Sequence, residues 1–433
     1  MRIEACFDSH VHWQATGEFS ERLQLRELKS PKEVLNLVPQ PHHFRGDWLL
    51  GFGWDQNSWS EPPHRKLLDQ WIPDRPVALQ RCDAHALWLN TEALKRAGFL
   101  DSSKEEIPGG RIERDTQGDL TGIVIDKACE IVQACIPRPT VFEVRRALLK
   151  AVQIFNEAGF THIRDMTCDE TQWSEAIRID QVGLLTLAVE EYFWLKGPSQ
   201  LNQVIDLYLQ AKKTQTANLR AKGIKVFYDG ALGSEGALLS RCYQGRDHHG
   251  LRLWSREALA ETFIKSWESG AEVAVHTIGD AAADEVINLA EELKRNGQEG
   301  ILHLEHGELI SAQTIQKMKS LKVEVHMQPS HWLSDEPWLK HKIGDLFEMA
   351  FPWRKLQEAE IPFDFGSDSP IEPVSLARTF EGLQRSAEAG IPRLLGLASR
   401  YMSHRDLSWA PNSYTLLEGD RPSQVIFRGE HLV

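Results

Sequence analysis

An α/β barrel of eight parallel strands is the fold this chain predicts, on three observations. Short strand-like runs alternate with amphipathic, helix-like stretches along most of its 433 residues, the rhythm of a parallel α/β protein. Eight such runs can be counted, at 3–7, 159–164, 184–190, 224–228, 271–276, 301–305, 323–327 and 361–366. Finally, histidines, a lysine and an aspartate close five of these runs, and a barrel of this kind gathers its chemistry at the C-terminal strand ends. The expected fold is a TIM (β/α)8 barrel.

The first run leads into F-D-S-H-V-H, which ends at His12. Residues 41–139 then break the rhythm, too long for a β–α connection, and carry their own Trp, Gly, Pro and Arg. They read as an inserted subdomain or lid. Helix-like segments follow at 141–158, 257–269, 282–295 and 311–320, and Ala158-Gly159 and Ser269-Gly270 are helix stops before the next strand. Two short apolar runs flank the turn 418–422, which predicts a terminal β-hairpin. The expected division is 1–40 for the first strand and the start of the barrel, 41–139 for the insertion, 140–410 for the rest of the barrel, and 411–433 for the hairpin.

Composition excludes several partners. Forty-nine Lys and Arg against 62 Asp and Glu leave a net charge of −13, with no basic run, so nucleic acid and anionic membrane are poor partners. No apolar stretch reaches the roughly 20 residues that span a bilayer, and the N-terminus lacks the features of an export signal. Six cysteines without a C-x-x-C pair predict reduced, mostly buried thiols and a cytoplasmic location. Several tryptophans in polar loops (Trp54, Trp59, Trp332, Trp338) suit a cavity wall.

The strand-end residues carry the chemistry. His10 and His12 stand two apart on a strand, so both imidazoles point to one side and can grip one ion. His276 and His306 end consecutive runs and complete an imidazole cage suited to zinc or a neighbouring first-row metal. His303, on the other face of its strand, reads as a packing residue. Asp368 in G-S-D-S-P can touch the metal, accept the proton of its water and pass it to the leaving group. An N-cap is the alternative reading. Lys225, as an ammonium of pKa about 10.4, cannot bind a cation. Carbamylated by CO2 it becomes an anion able to bridge two metals; a salt-bridged lysine is the alternative. Alternation puts Lys225, Phe227 and Asp229 on one side, facing the lumen.

These motifs, in this order, resemble the amidohydrolase superfamily, in particular the long metal-dependent hydrolases that include N-substituted formamide deformylases. The resemblance extends through G-W-D-Q-N-S-W (from Gly53), R-C-D-A-H-A-L-W-L-N (from Arg81), P-G-G-R-I-E-R-D (from Pro108), G-F-T-H-I-R-D (from Gly159), K-V-F-Y-D-G-A-L-G-S, V-A-V-H-T-I-G-D, L-E-H and M-Q-P-S-H. It implies one or two zinc ions held by His10, His12, Lys225, His276 and His306, with Asp368 as the catalytic aspartate. It also implies a substrate pocket lined by Trp54, Asp55 and His85; Asp229, above Lys225, joins them. Members usually carry a small β-sandwich built from both chain ends. With nine residues before His10, only a reduced remnant is expected. Glu235 and Ser369 replace residue types common in the family.

The expected activity is hydrolysis of a non-peptide C–N bond, an amide of N-acyl or N-formyl type; the alternative is an ester, lactone or phosphoester, for which the same site would serve. A non-catalytic binding protein is the rival from another class, but every ligand position is filled. The partner expected is a small-molecule substrate, with a homodimer as the assembly to consider. Arg81, Arg111, Arg114 and Arg164 are expected in solvated surface pairs.

Overall fold

The computed structural model describes residues 2–4, 6–100, 107–385, 413–418 and 421–427. Eight parallel strands lie side by side in chain order: β1 (Phe7–Val11), β2 (His162–Cys168), β3 (Ala188–Trp194), β4 (Leu219–Phe227), β5 (Glu272–Thr277), β6 (Leu302–His306), β7 (Val323–Met327) and β8 (Phe363–Phe365). The ring closes just past β8. There the Asp368 amide donates to the His10 carbonyl and the His12 amide to the Ser369 carbonyl, both at 2.8 Å. The result is a distorted TIM barrel.

Strand alternation sorts the side chains. Ile224 and Val226 of β4, Val273 and Val275 of β5, and Leu302 and Leu304 of β6 turn outward into the main apolar core. Gly223, Lys225 and Phe227 turn inward, where a Cβ on Gly223 would stand 2.9 Å from the Tyr192 ring. The interior is mostly polar, with a small apolar plug of Met166, Tyr192 and Ala274. The outer layer is helical. In the helix Val141–Glu157, buried Val144, Leu148, Ala151, Val152 and Phe155 form one stripe. Thr140 and Glu143 close a reciprocal capping box at its start.

Three expectations need correction. The first barrel strand is Phe7–Val11, not 3–7. Its polar Asp8, Ser9 and His10 disguised it, yet all three are fully buried against the barrel. Arg2–Glu4 instead pairs antiparallel with Ser413–Glu418, which pairs in turn with Arg421–Phe427. Of the six free cysteines, Cys135 and Cys242 are exposed. The tryptophans expected in a cavity wall mainly pack in cores: Trp54 and Trp59 with Trp88, and Trp332 against the barrel.

Between β1 and β2 the chain builds a second, mixed sheet. It runs from Leu23–Gln24 through Trp48–Trp54, Val77–Arg81, Ala86–Leu89 and Leu120–Asp126 to Gly110–Arg114, around two apolar clusters of its own. No helix among the described residues is long and apolar enough to cross a membrane.

Closure at β8 depends on Gly366. A Cβ there would fall 2.6 Å from the His10 amide nitrogen and 2.8 Å from its Cβ, against backbone that cannot swing away. Gly366→Ala is expected to cost about 1–3 kcal/mol through overpacking and to displace His10. Urea denaturation checks the first effect and metal titration the second.

Candidate metal centre

At the C-terminal mouth of the barrel, His10 Nε2 and His12 Nε2 lie 3.3 and 3.0 Å from the same Asp368 oxygen, Oδ1. The H-x-H spacing does what alternation predicts: His10 ends fully buried on β1, and His12 follows at the lip. Asp368 reaches back from the β8 loop because its backbone is left-handed, with φ 55°. His306 is the same, with φ 72°. Such angles are uncommon outside glycine and tend to cluster at functional sites.

His306 packs its ring 4.7 Å from that of His10 and 4.4 Å from that of His276. Burial holds both His276 and His306 well below the usual imidazole range, and neighbouring cationic groups add to this for each. Neutral imidazole is the form that binds metal. For Asp368, burial works against ionisation, but His10 and His12 overcome it and keep the carboxyl well below its ordinary range. Lys225 is fully buried on β4, its ammonium 4.8 Å from the Phe227 ring centre, and burial pulls it down to about 8.

Behind these residues stands a set that the sequence reading missed or misplaced. Glu305 Oε2 lies 2.6 Å from His10 Nδ1, and its other oxygen takes a 2.7 Å bond from Arg164. Arg164 is fully buried rather than solvated, with its guanidinium 4.0 Å from the Tyr192 ring centre. Gln328 Oε1 lies 2.9 Å from His306 Nδ1. His331 puts Nε2 3.5 Å from Asp368 Oδ2, while its Nδ1 sits 3.0 Å from Glu308. Burial opposes its charging, yet Glu308 raises it to about 10. The signals were present in L-E-H and M-Q-P-S-H: alternation turns Glu305 inward, and His331 lies on the helix Pro329–Ile343 that opens just past β7.

The expected pocket residues divide. His85 reaches the mouth from the second sheet, its ring 5.2 Å from that of His276, steered by Asp126 Oδ1 at 2.6 Å from its Nδ1. Asp55 caps Gln56–Ser58 and pairs with Arg81. Arg81 itself is buried and also holds Asp83 at 2.6 Å. Trp54 does not line the mouth: it is wholly buried in the second sheet's core, its Nε1 donating to the Leu79 carbonyl. Asp229 stands beside the mouth, its Oδ1 3.7 Å from His276 Nε2, but its oxygens are engaged by backbone. Fully buried, it accepts the amides of Leu238, Ile278 and Gly279 at 2.8–3.1 Å, clamping two loops together.

The donor set fits a divalent ion. His10 Nε2, His276 Nδ1, Asp368 Oδ1 and Lys225 Nζ are buried atoms that make no hydrogen bond. Buried polar groups are normally satisfied, and a cation between His10 Nε2 and Asp368 Oδ1 would satisfy that imidazole and that carboxylate together; His276 lies outside their grouping. Imidazole with carboxylate suits zinc and its first-row neighbours. Asp368 is shared between two groupings of metal-ligating type, one with His10 and His12 and the other with His306 and His331.

A barrel with this mouth is that of a metal-dependent hydrolase. The model of the amidohydrolase family matches residues 5–403, and the chain belongs to that family. A Bacillus subtilis protein named as an amidohydrolase, YtcJ, is 30% identical over 85% of this chain and 70% of its own. An N-substituted formamide deformylase of Arthrobacter pascens is 23% identical, over 90% of this chain and 74% of that protein. Among solved structures, a metal-dependent hydrolase of uncharacterised activity from Pyrococcus furiosus superposes with a TM-score of 0.66 at 28% identity, covering 88% of this chain and 76% of that one.

Proposed function

We propose that the chain hydrolyses an amide-type C–N bond of an N-acyl or N-formyl compound. The observation that carries this reading is the approach of His10 Nε2 and His12 Nε2 to Asp368 Oδ1 at 3.3 and 3.0 Å in a buried mouth. Similarity to a formamide deformylase supports the choice of bond.

In this reading His10, His12, His276 and His306 hold zinc or another first-row divalent ion, with Asp368 beside it. The ion, when bound, supplies Lewis-acid polarisation and a more acidic water. Asp368 Oδ accepts the proton released as water adds to the carbonyl carbon, then returns it to the departing amine nitrogen, so the carboxylate is regenerated each cycle. His331, cationic and 3.5 Å from Asp368, donates to the oxygen on which negative charge develops. His85, fixed by Asp126, contacts the substrate from the second sheet, which acts as the lid.

Lys225 has a separate role. Its buried amine, with no hydrogen-bond partner, adds to CO2: an N–C bond forms, a proton leaves to solvent, and the resulting carbamate is an anion suited to a second ion. All these residues lie on one chain, and the small-molecule substrate is its partner.

Two measurements test the proposal. Chelation should abolish turnover, and Zn2+ should restore it. A panel of N-alkylformamides, N-acyl amino acids and lactones should show cleavage of the first or second class. Turnover of lactones alone would overturn the C–N assignment, and full activity after chelation would overturn the metal.

A further inference from the structure

Deeper in the barrel, towards the N-terminal strand ends, β5, β6 and β7 bring together Glu272, His303, Glu324 and His326. We infer that His303, Glu324 and His326 form a second divalent-cation site, separate from the hydrolytic mouth and of the zinc class. E-V-H on β7 repeats the spacing of H-V-H at the end of β1: two ligand residues two apart face the same way. On β6, His303 pairs in register with Glu324. It lies three residues before His306, roughly 10 Å further down the strand.

The ligand atoms are spaced for an ion. His303 Nδ1 is 3.0 Å from His326 Nε2 and 3.5 Å from Glu324 Oε2, and His326 Nε2 is 3.9 Å from Glu324 Oε2. A circle through three atoms at those separations has a radius of about 2 Å, the length of a zinc–nitrogen or zinc–oxygen bond. Both imidazoles are buried, and the Glu324 side chain is 36% exposed. An ion can therefore enter past the carboxylate.

The neighbours prepare His303 for this role. Glu272 Oε2 lies 2.9 Å from His303 Nε2, and Glu272 is held by Lys222 at 3.0 Å and by the Tyr192 hydroxyl. An ionised carboxylate can only accept, so the proton sits on Nε2 and the Nδ1 lone pair faces Glu324 and His326. A carboxylate that fixes the tautomer of a ligating histidine is a recurring outer-shell arrangement in metal sites. Two electron-rich groups, His303 Nδ1 and Glu324, thus converge on one point beside His326. A proton on His326 fills it as a 3.0 Å hydrogen bond to His303 Nδ1; a cation that replaces this proton gains Glu324 as a third ligand.

The experiment is a count of zinc per chain. The full chain is equilibrated with excess ZnCl2, gel-filtered and analysed for metal beside Glu324→Gln and the double variant His10→Ala/His12→Ala. Glu324 is partly exposed, so its variant keeps the fold, which circular dichroism checks. The expected result is one equivalent less zinc in E324Q than in the unaltered chain. The double variant should keep at least one equivalent, and its Co2+ form should show visible absorption that adding E324Q removes. Unchanged zinc in folded E324Q, or a folded double variant that binds none, would overturn the inference. Because the double variant lacks the upper histidine pair, failure of this site and failure of the hydrolytic centre read out separately.

Discussion

Asp368→Asn is expected to lower kcat by about 10²–10⁴-fold, the usual range for losing a general acid–base, while metal content stays near that of the unaltered chain. Asparagine keeps the shape and one oxygen facing His10 and His12, which lie 3.3 and 3.0 Å from Oδ1. What it loses is the ability to take a proton from water and return it to the amine. Turnover and elemental analysis on the same sample separate this loss from loss of the ion. Undiminished turnover would remove Asp368 from its role.

Glu305→Ala should have the largest effect on stability. Glu305 and Arg164 are both fully buried, and removing the carboxylate strands the guanidinium. Breaking such a pair from one side costs about 3–5 kcal/mol. The same change frees His10 Nδ1 from its 2.6 Å contact, and loss of an outer-shell partner lowers metal affinity by about 10–100-fold. Burial alone would push this carboxyl up, but Arg164, His326 and His10 hold it well below the usual range. Denaturant midpoints and metal titration check the two effects. Glu305→Gln should move both in the same direction, by less.

Much of this centre was legible because strand geometry ties sequence position to place. A histidine or aspartate closing a parallel strand must emerge at the C-terminal mouth, which located His10, His12, His276, His306 and Asp368. Lys225 and Phe227 followed from alternation on β4. His306 shows a limit of that rule: alternation sets it opposite Glu305, and only a left-handed backbone turns it into the mouth. His303, on the same strand, has partners on both ring nitrogens, in keeping with a satisfied packing residue, and those partners form a polar interior network.

Residues whose roles depend on contacts distant in sequence were harder to read. Asp229 looked like a lumen carboxylate, but three amides from two loops claim it. Trp54 shares a motif with Asp55, yet alternation in a second sheet sends its ring into a core. Arg164 and Arg81 looked like loop arginines. Both are buried, because Glu305 neutralises the first, and Asp55 and Asp83 the second. The first strand was misplaced for a related reason. Its polar residues suit a polar barrel interior, which an apolar-run search cannot anticipate.

Anomalous scattering at the zinc edge, from crystals grown with Zn2+, tests the central claim most directly. A peak within about 2 Å of His10 Nε2 and His12 Nε2, beside Asp368 and in reach of His276 or His306, is the predicted result. A zinc-replete crystal with no peak at that mouth, from protein that still turns over substrate, would contradict the account.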